Sequence, residues 1–150
     1  MDLTMPFIPD PNTVTVTDTG AYRRNLERIM EYVGPGVRLM PVIKANAYGH
    51  GMTECATTAL EAGVAMLGVC FASEGLALRE AGINAPVLVL GAESPARAGE
   101  MIENELTIGL HSFPMLDAIC EELNWASGPC RVHVKVDTGM GRIGLPPDDA

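Results

Sequence analysis

Val42-Ile43-Lys44-Ala45-Asn46-Ala47-Tyr48-Gly49-His50-Gly51 sets a lysine at the end of an apolar run and follows it with a loop whose glycines permit tight turning. The run Leu39 to Ile43 reads as a strand, so Lys44 falls at its C-terminal edge. Where strands alternate with helices, that edge is where ligands sit. An apolar wall beside an amine disfavours the ammonium form, and a partly neutral lysine can condense with an aldehyde. Taken singly, the residues are ordinary. A lysine at a strand end is most often a solvated surface residue, Tyr48 would be a packing aromatic, and His50 would be a loop histidine.

Working outward, the same strand-then-helix unit recurs. Upstream, Asp18 or Thr19 can cap a helix running to about Val33, with Leu26, Ile29, Met30 and Val33 on one face and Gly34-Pro35-Gly36 stopping it. Downstream, a helix from about Met52 to Ala62 leads to a short apolar strand, Met66 to Phe71. Ser73 can cap the next helix, which ends at Gly82, and Val87 to Leu90 is a strand closed by Gly91. Ser94-Pro95 opens a helix to about Glu103, because proline suits the first helical position. Leu106 to Leu110, a helix from Pro114 to Leu123, and a strand from Val132 to Val136 complete the series, and Pro146 to Ala150 resembles the start of another helix. Strands separated in turn by helices are the signature of parallel βαβ units, so the fold class is α/β. An open doubly wound sheet and a (β/α)8 barrel both accept this rhythm.

The composition sets outer bounds. The chain has 150 residues, 47% hydrophobic and 19% charged, which suits one buried core. A net charge of −9 opposes association with phosphate backbones or anionic lipid, so neither nucleic acid nor a membrane surface is expected as a partner. The start lacks a basic region followed by an apolar one, and no apolar run is long enough to span a bilayer, so a cytoplasmic location is expected. Cys55, Cys70, Cys120 and Cys130 match no zinc-site spacing and read as reduced thiols. Thr13 to Thr17 alternates with period two and reads as a half-buried strand without a neighbouring hairpin partner.

A second segment carries chemistry: His133-Val134-Lys135-Val136-Asp137-Thr138-Gly139-Met140-Gly141-Arg142-Ile143-Gly144. It contains a formal G-x-G-x-x-G after a strand, half of a dinucleotide-binding fingerprint. That fingerprint needs a helix starting within the glycines, yet Leu145-Pro146-Pro147 follows at once. Lys135 inside an apolar strand is also unusual, since a buried unpaired ammonium is costly. Arg142 could serve as a fork of donors for an oxygen anion or could pair with Asp137.

Together, VIKANAYGHG and HVKVDTGMGRIG resemble the two signatures of the alanine racemase family, and the likeness continues through Glu74, Leu78 to Ile83 and Ala85 to Gly91 to cover the chain from Tyr22 onward. The resemblance implies a partial (β/α)8 TIM-type barrel supplying the first five βα strands, with the rest of the barrel and a C-terminal β domain absent. By it, residues 1–18 form an N-terminal segment whose strand packs on that β domain, and residues 19–150 form the first part of the barrel. Lys44 would carry pyridoxal 5'-phosphate and act as one of two acid/base residues. Tyr48 would bind the cofactor phosphate, Leu90 would line its ring, and Arg142 would contact both cofactor and substrate carboxylate. Lys135 would be carbamylated and steady Arg142. The implied activity is interconversion of L- and D-alanine by a homodimer whose second base comes from the partner's β domain. The 150-residue chain alone is therefore expected to be inactive. A pyridoxal-phosphate-binding barrel without turnover and a racemase of another small amino acid, such as serine, are the alternative readings. Departures from the family pattern cluster in the first twenty residues and at Cys70-Phe71.

Overall fold

The computed structural model describes residues 15–123 and 129–149. Helix α1 (Thr19–Val33) starts where Asp18 accepts a hydrogen bond from the Ala21 amide at 2.8 Å, and ends at Gly34, whose φ of 78° few other residues tolerate. The segment Leu39 to Ile43 leads into α2 (Lys44–Tyr48), a single turn, and then α3 (Met52–Glu61). There follow β1 (Leu67–Val69), α4 (Ala72–Glu80), β2 (Val87–Val89), a 3-10 turn Pro95–Arg97 continuing into α5 (Ala98–Glu103), and β3 (Thr107–Leu110). Last come α6 (Phe113–Leu123), β4 (Val132–Val134) and a 3-10 turn, Pro147–Asp149.

The four strands form one parallel sheet in the order β1-β2-β3-β4, with Gly68 opposite Leu88, Leu88 opposite Thr107, and Gly109 opposite His133. Each strand pairs with the next in sequence. A doubly wound sheet reverses direction at a switch point, and among the described residues this one does not, so the order is that of a barrel wall. The fold is α/β with a parallel sheet, consistent with part of a barrel.

Helices cover one face of the sheet. Leu67, Val69, Val87, Val89 and Ile108 are at most 1% exposed and pack with Leu78, Met101 and Met115. Burying such a side chain contributes roughly 1.5–3 kcal/mol. Alternation then assigns the opposite face to Gly68, Leu88, Thr107, Gly109 and His133. At the base, the Arg79 guanidinium donates to the carbonyls of Ile83, Ala85, Asn104 and Glu105, which ties the loops before β2 and β3 to α4. Burial pushes the Arg79 guanidinium below its ordinary value, with the Glu105 charge opposing.

Several expectations need correction. Leu39 to Ile43 runs beside β1 but joins it through one parallel bridge, Val42 to Gly68. Pro41 has no N–H, so it accepts from Gly68 at 2.9 Å and donates nothing back, which interrupts the ladder. Ser73 does not cap α4, which begins a residue earlier. Thr15 to Thr17 form no strand, because no described element offers a ladder, and Thr13 and Val14 lie outside the described residues. The expected helix at the end is one 3-10 turn, and Ala150 is not among the described residues.

Candidate active site

A parallel sheet brings all its strand ends to one edge. Lys44 follows Ile43, Leu90 follows Val89, and Lys135 follows Val134, so each is the first residue beyond its strand or strand-like segment. Lys44 is half-buried, whereas Lys135 is exposed. They are the two lysines of the chain. Leu90 is 38% exposed and lies over Gly68, where an added Cβ would come within 3.2 Å of both Leu90 Cδ1 and Val42 Cγ2. The glycine thus lets an apolar shelf close over the sheet at this edge.

The turn after Lys44 is left-handed. Ala45, Asn46 and Ala47 have φ of 51°, 54° and 53° with ψ of 52°, 44° and 46°, and Tyr48 follows with φ of 55°. Its hydrogen bonds run from the Ala47 amide to the Ile43 carbonyl at 2.8 Å and from the Gly49 amide to the Ala45 carbonyl at 3.1 Å. A left-handed residue other than glycine costs roughly 1–2 kcal/mol, so four in succession need external support. Asn46 supplies some, accepting from the Met52 amide at 2.8 Å at the start of α3. Buried Ala47 and the Thr17 hydroxyl, which donates to the His50 carbonyl at 3.0 Å, supply more. Glu74 in the first turn of α4 accepts from the Ala45 amide at 2.6 Å.

Tyr48 is 62% exposed. It lines a cleft of about 570 Å³ together with His50, Tyr22 and Cys55, and Lys44, Leu90, Lys135 and Arg142 lie outside that cleft. Burial raises the Cys55 thiol and the Tyr22 phenol above their usual ranges. The described structure leaves all four cysteines as free thiols.

In the second segment, Asp137 Oδ1 accepts from the amides of Gly139 at 2.9 Å and Gly141 at 3.0 Å. The chain then doubles back, and Leu145 bridges to Val136. Gly144, at φ of 130°, sits so close that a Cβ there would be 2.7 Å from the Asp137 nitrogen and 2.9 Å from the Lys135 oxygen. No helix begins within these glycines, which removes the dinucleotide reading. Arg142 is exposed and forms no ion pair among the described residues, so its pairing with Asp137 is absent. Lys135 Nζ donates to the Val136 carbonyl at 3.3 Å and makes no contact of hydrogen-bond length with Arg142.

Sequence reading missed Asn46 and Glu74 as parts of this edge. For Glu74 the available signal was an acid in the first turn of a helix, which marks a capping position but not a distant partner. Asn46 could be found as the residue type best suited to left-handed backbone after glycine.

By residue type these groups suit a phosphorylated aldehyde: an amine half-buried at a sheet edge, an apolar shelf for a flat ring, a guanidinium without an ion-pair partner among the described residues, and a phenol in the Lys44 turn that lines a cleft the other three do not. No helix among the described residues is long and apolar enough to cross a membrane.

The family described as alanine racemase, N-terminal domain, matches residues 17–150. The alanine racemase of Desulforamulus reducens is 43% identical over 129 residues, 86% of this chain and 35% of that protein. The chain therefore spans about a third of the length of such curated relatives. Among solved structures, alanine racemase of Bacillus anthracis with bound L-Ala-P superposes with a TM-score of 0.81 at 36% identity, covering 87% of this chain and 33% of that one. Histidine racemase of Leuconostoc mesenteroides superposes with a TM-score of 0.76 at 32% identity, covering 84% and 34%. With its sequential parallel sheet and the match over residues 17–150, the chain belongs to the alanine racemase N-terminal domain family.

Proposed function

We propose that this chain is the lysine-bearing barrel segment of a pyridoxal-phosphate-dependent racemase that interconverts L- and D-alanine. The observation that carries the reading is Lys44, half-buried at the C-terminal edge of a parallel sheet on a turn held in an unfavourable backbone region. Bound pyridoxal 5'-phosphate would supply an electron sink that stabilises negative charge at the substrate Cα. Lys44 would hold the cofactor and exchange a proton with Cα on the D face. The Tyr48 hydroxyl would hold the phosphate, and Leu90 would exclude water from one side of the ring. The Arg142 guanidinium would orient oxygen anions of cofactor and substrate. Carbamylation of Lys135 would turn its charge negative and give Arg142 a partner.

In this reading residues 19–150 are the first part of the barrel, residues 1–18 are an N-terminal segment that packs on a C-terminal β domain, and the acting form is a homodimer in which the partner subunit's β domain supplies the second base. Alanine is supported by the names of the relatives, including one structure with bound L-Ala-P. The histidine racemase neighbour favours keeping a second substrate class in view, because the same segment serves both.

The test uses the short inventory of amines. Incubation with pyridoxal phosphate, borohydride reduction and peptide mass analysis should place the label on Lys44. Lys44→Ala should abolish that label and, in the complete enzyme, lower turnover by a factor on the order of 10²–10⁴. Dominant labelling of Lys135 in the unmutated protein would overturn the assignment.

A further inference from the structure

We propose that Glu74 is a positioning residue for Lys44: its carboxylate clamps the left-handed turn that begins at Lys44 to the ends of β1 and α4. This rests on the reading of Lys44 as the cofactor lysine. Glu74 Oε1 accepts from the Ala45 amide at 2.6 Å, while Oε2 accepts from the amides of Cys70 at 2.7 Å and Phe71 at 3.1 Å. Both oxygens are used, and all three donors are backbone N–H groups. Hydrogen bonds to an ionised acceptor are stronger than neutral ones.

The Ala45 nitrogen is bonded to the Lys44 carbonyl carbon, so fixing that amide fixes the peptide plane between the two residues. This sets the backbone rotation of Lys44 and hence the direction in which its side chain leaves the sheet edge. The constraint matters because Ala45 opens a run of left-handed residues that would relax toward commoner conformations if released. Capping of α4 explains the bonds to Cys70 and Phe71. It does not explain the bond to Ala45, which lies 29 positions away in sequence.

A neighbouring carboxylate provides the control. Glu93 accepts from the Ala72 amide at the start of α4 and pairs with Arg97, so it supports the same helix without touching the Lys44 turn. Glu74→Gln is isosteric, but its single acceptor oxygen cannot serve both Ala45 and the Cys70-Phe71 pair. The full chain and its variants would be labelled with pyridoxal phosphate and borohydride, and the ratio of label on Lys44 to that on Lys135 measured, the second lysine acting as internal reference. Amide exchange at Ala45 would be followed without cofactor, alongside thermal melting.

Glu74→Gln should lower the Lys44:Lys135 ratio on the order of tenfold and speed Ala45 exchange by a similar factor. Glu93→Gln should lower the melting temperature comparably and leave both readouts unchanged. Glu74→Ala should exceed Glu74→Gln in both, and if it does not fold, the isosteric variant still decides. An unchanged ratio in Glu74→Gln, with Lys44 labelled in the unmutated chain, overturns the role of Glu74 and spares the functional reading. Unchanged Ala45 exchange overturns the clamp itself. Preferred labelling of Lys135 in the unmutated chain overturns the functional reading first.

Discussion

The two lysine-bearing segments, Lys44 to Gly51 and Lys135 to Gly144, end strands at the same edge of one sheet but are held by different means. The first is tied to four other places: Glu74 on α4, the start of α3 through Asn46, the segment before α1 through Thr17, and the core through Ala47. The second is tied mostly to itself, through Asp137 and the bridge between Val136 and Leu145. Its strand is also poorly covered, with Val132 and Val134 at 40% and 53% exposure. The conformation around Lys44 is therefore set by long-range partners within this chain. That around Arg142 is set by a local turn, and its side chain remains available to whatever packs or binds there.

The comparison can be broken most directly at Asn46. Asn46→Ala removes the cap on the Met52 amide and places a less tolerant residue at φ of 54°. Loss of a cap costs about 1 kcal/mol, and the left-handed penalty adds roughly another 1 kcal/mol. Because this turn is coupled to α3 and the sheet, the loss should appear in global unfolding as a fall in melting temperature on the order of 5–10 °C. A melting temperature unchanged within error would mean that the first segment is no more integrated than the second.

Gly144→Ala makes the complementary change. The substitution forces a Cβ against backbone atoms at 2.7 and 2.9 Å in a conformation at φ of 130°. Backbone strain of this kind costs about 1–3 kcal/mol where it is fully retained. Here the loop lies at an exposed margin and can open locally, which relieves strain without unfolding the core. Amide resonances from Lys135 to Leu145 should shift or broaden, while the melting temperature falls less than in Asn46→Ala. A larger global loss from Gly144→Ala would reverse the ranking of the two regions.

This contrast also marks what the sequence made legible. The alternation of elements was readable because apolar periodicity and end signals are local, as with Asp18 capping α1 and Gly34 ending it. Lys44 could be placed at the sheet edge because the placement needs only a strand end, whereas Leu90 and Lys135 read as parts of their strands and lie one residue beyond them. The handedness of the Lys44 turn was not readable, since propensity favours a loop around Gly49 and Gly51 and the support comes from elsewhere. The Glu74 contact spans 29 positions and leaves no local periodicity. Thr15 to Thr17 show the converse limit: alternation signals a strand, but a strand exists only with a partner, and these residues have none among the described elements.

The smallest expected effect, and the sharpest test of local control in the second segment, concerns Asp137. Amide N–H groups of Gly141 and Gly139 hold its carboxyl below the ordinary aspartate value, with the nearby Lys135 charge adding a lesser influence. The sign follows from preferential stabilisation of the ionised form in the folded loop. That stabilisation is fully present above the unfolded value near about pH 4 and is lost as pH falls through the depressed folded value. Loop order should therefore persist through mildly acid conditions and fail below them, with little change in global melting because the group is solvent-facing. Following the Gly139 and Gly141 amides by NMR from about pH 6 to about pH 2 should give a joint transition below the usual aspartate range. Asp137→Asn retains an acceptor oxygen but cannot ionise, so the same amides should stay bonded, exchange somewhat faster, and lose that transition. A midpoint at or above the ordinary aspartate value in the unmutated chain would show that the two glycine amides do not hold the carboxylate, and the loop would then owe its shape to the Val136–Leu145 bridge alone.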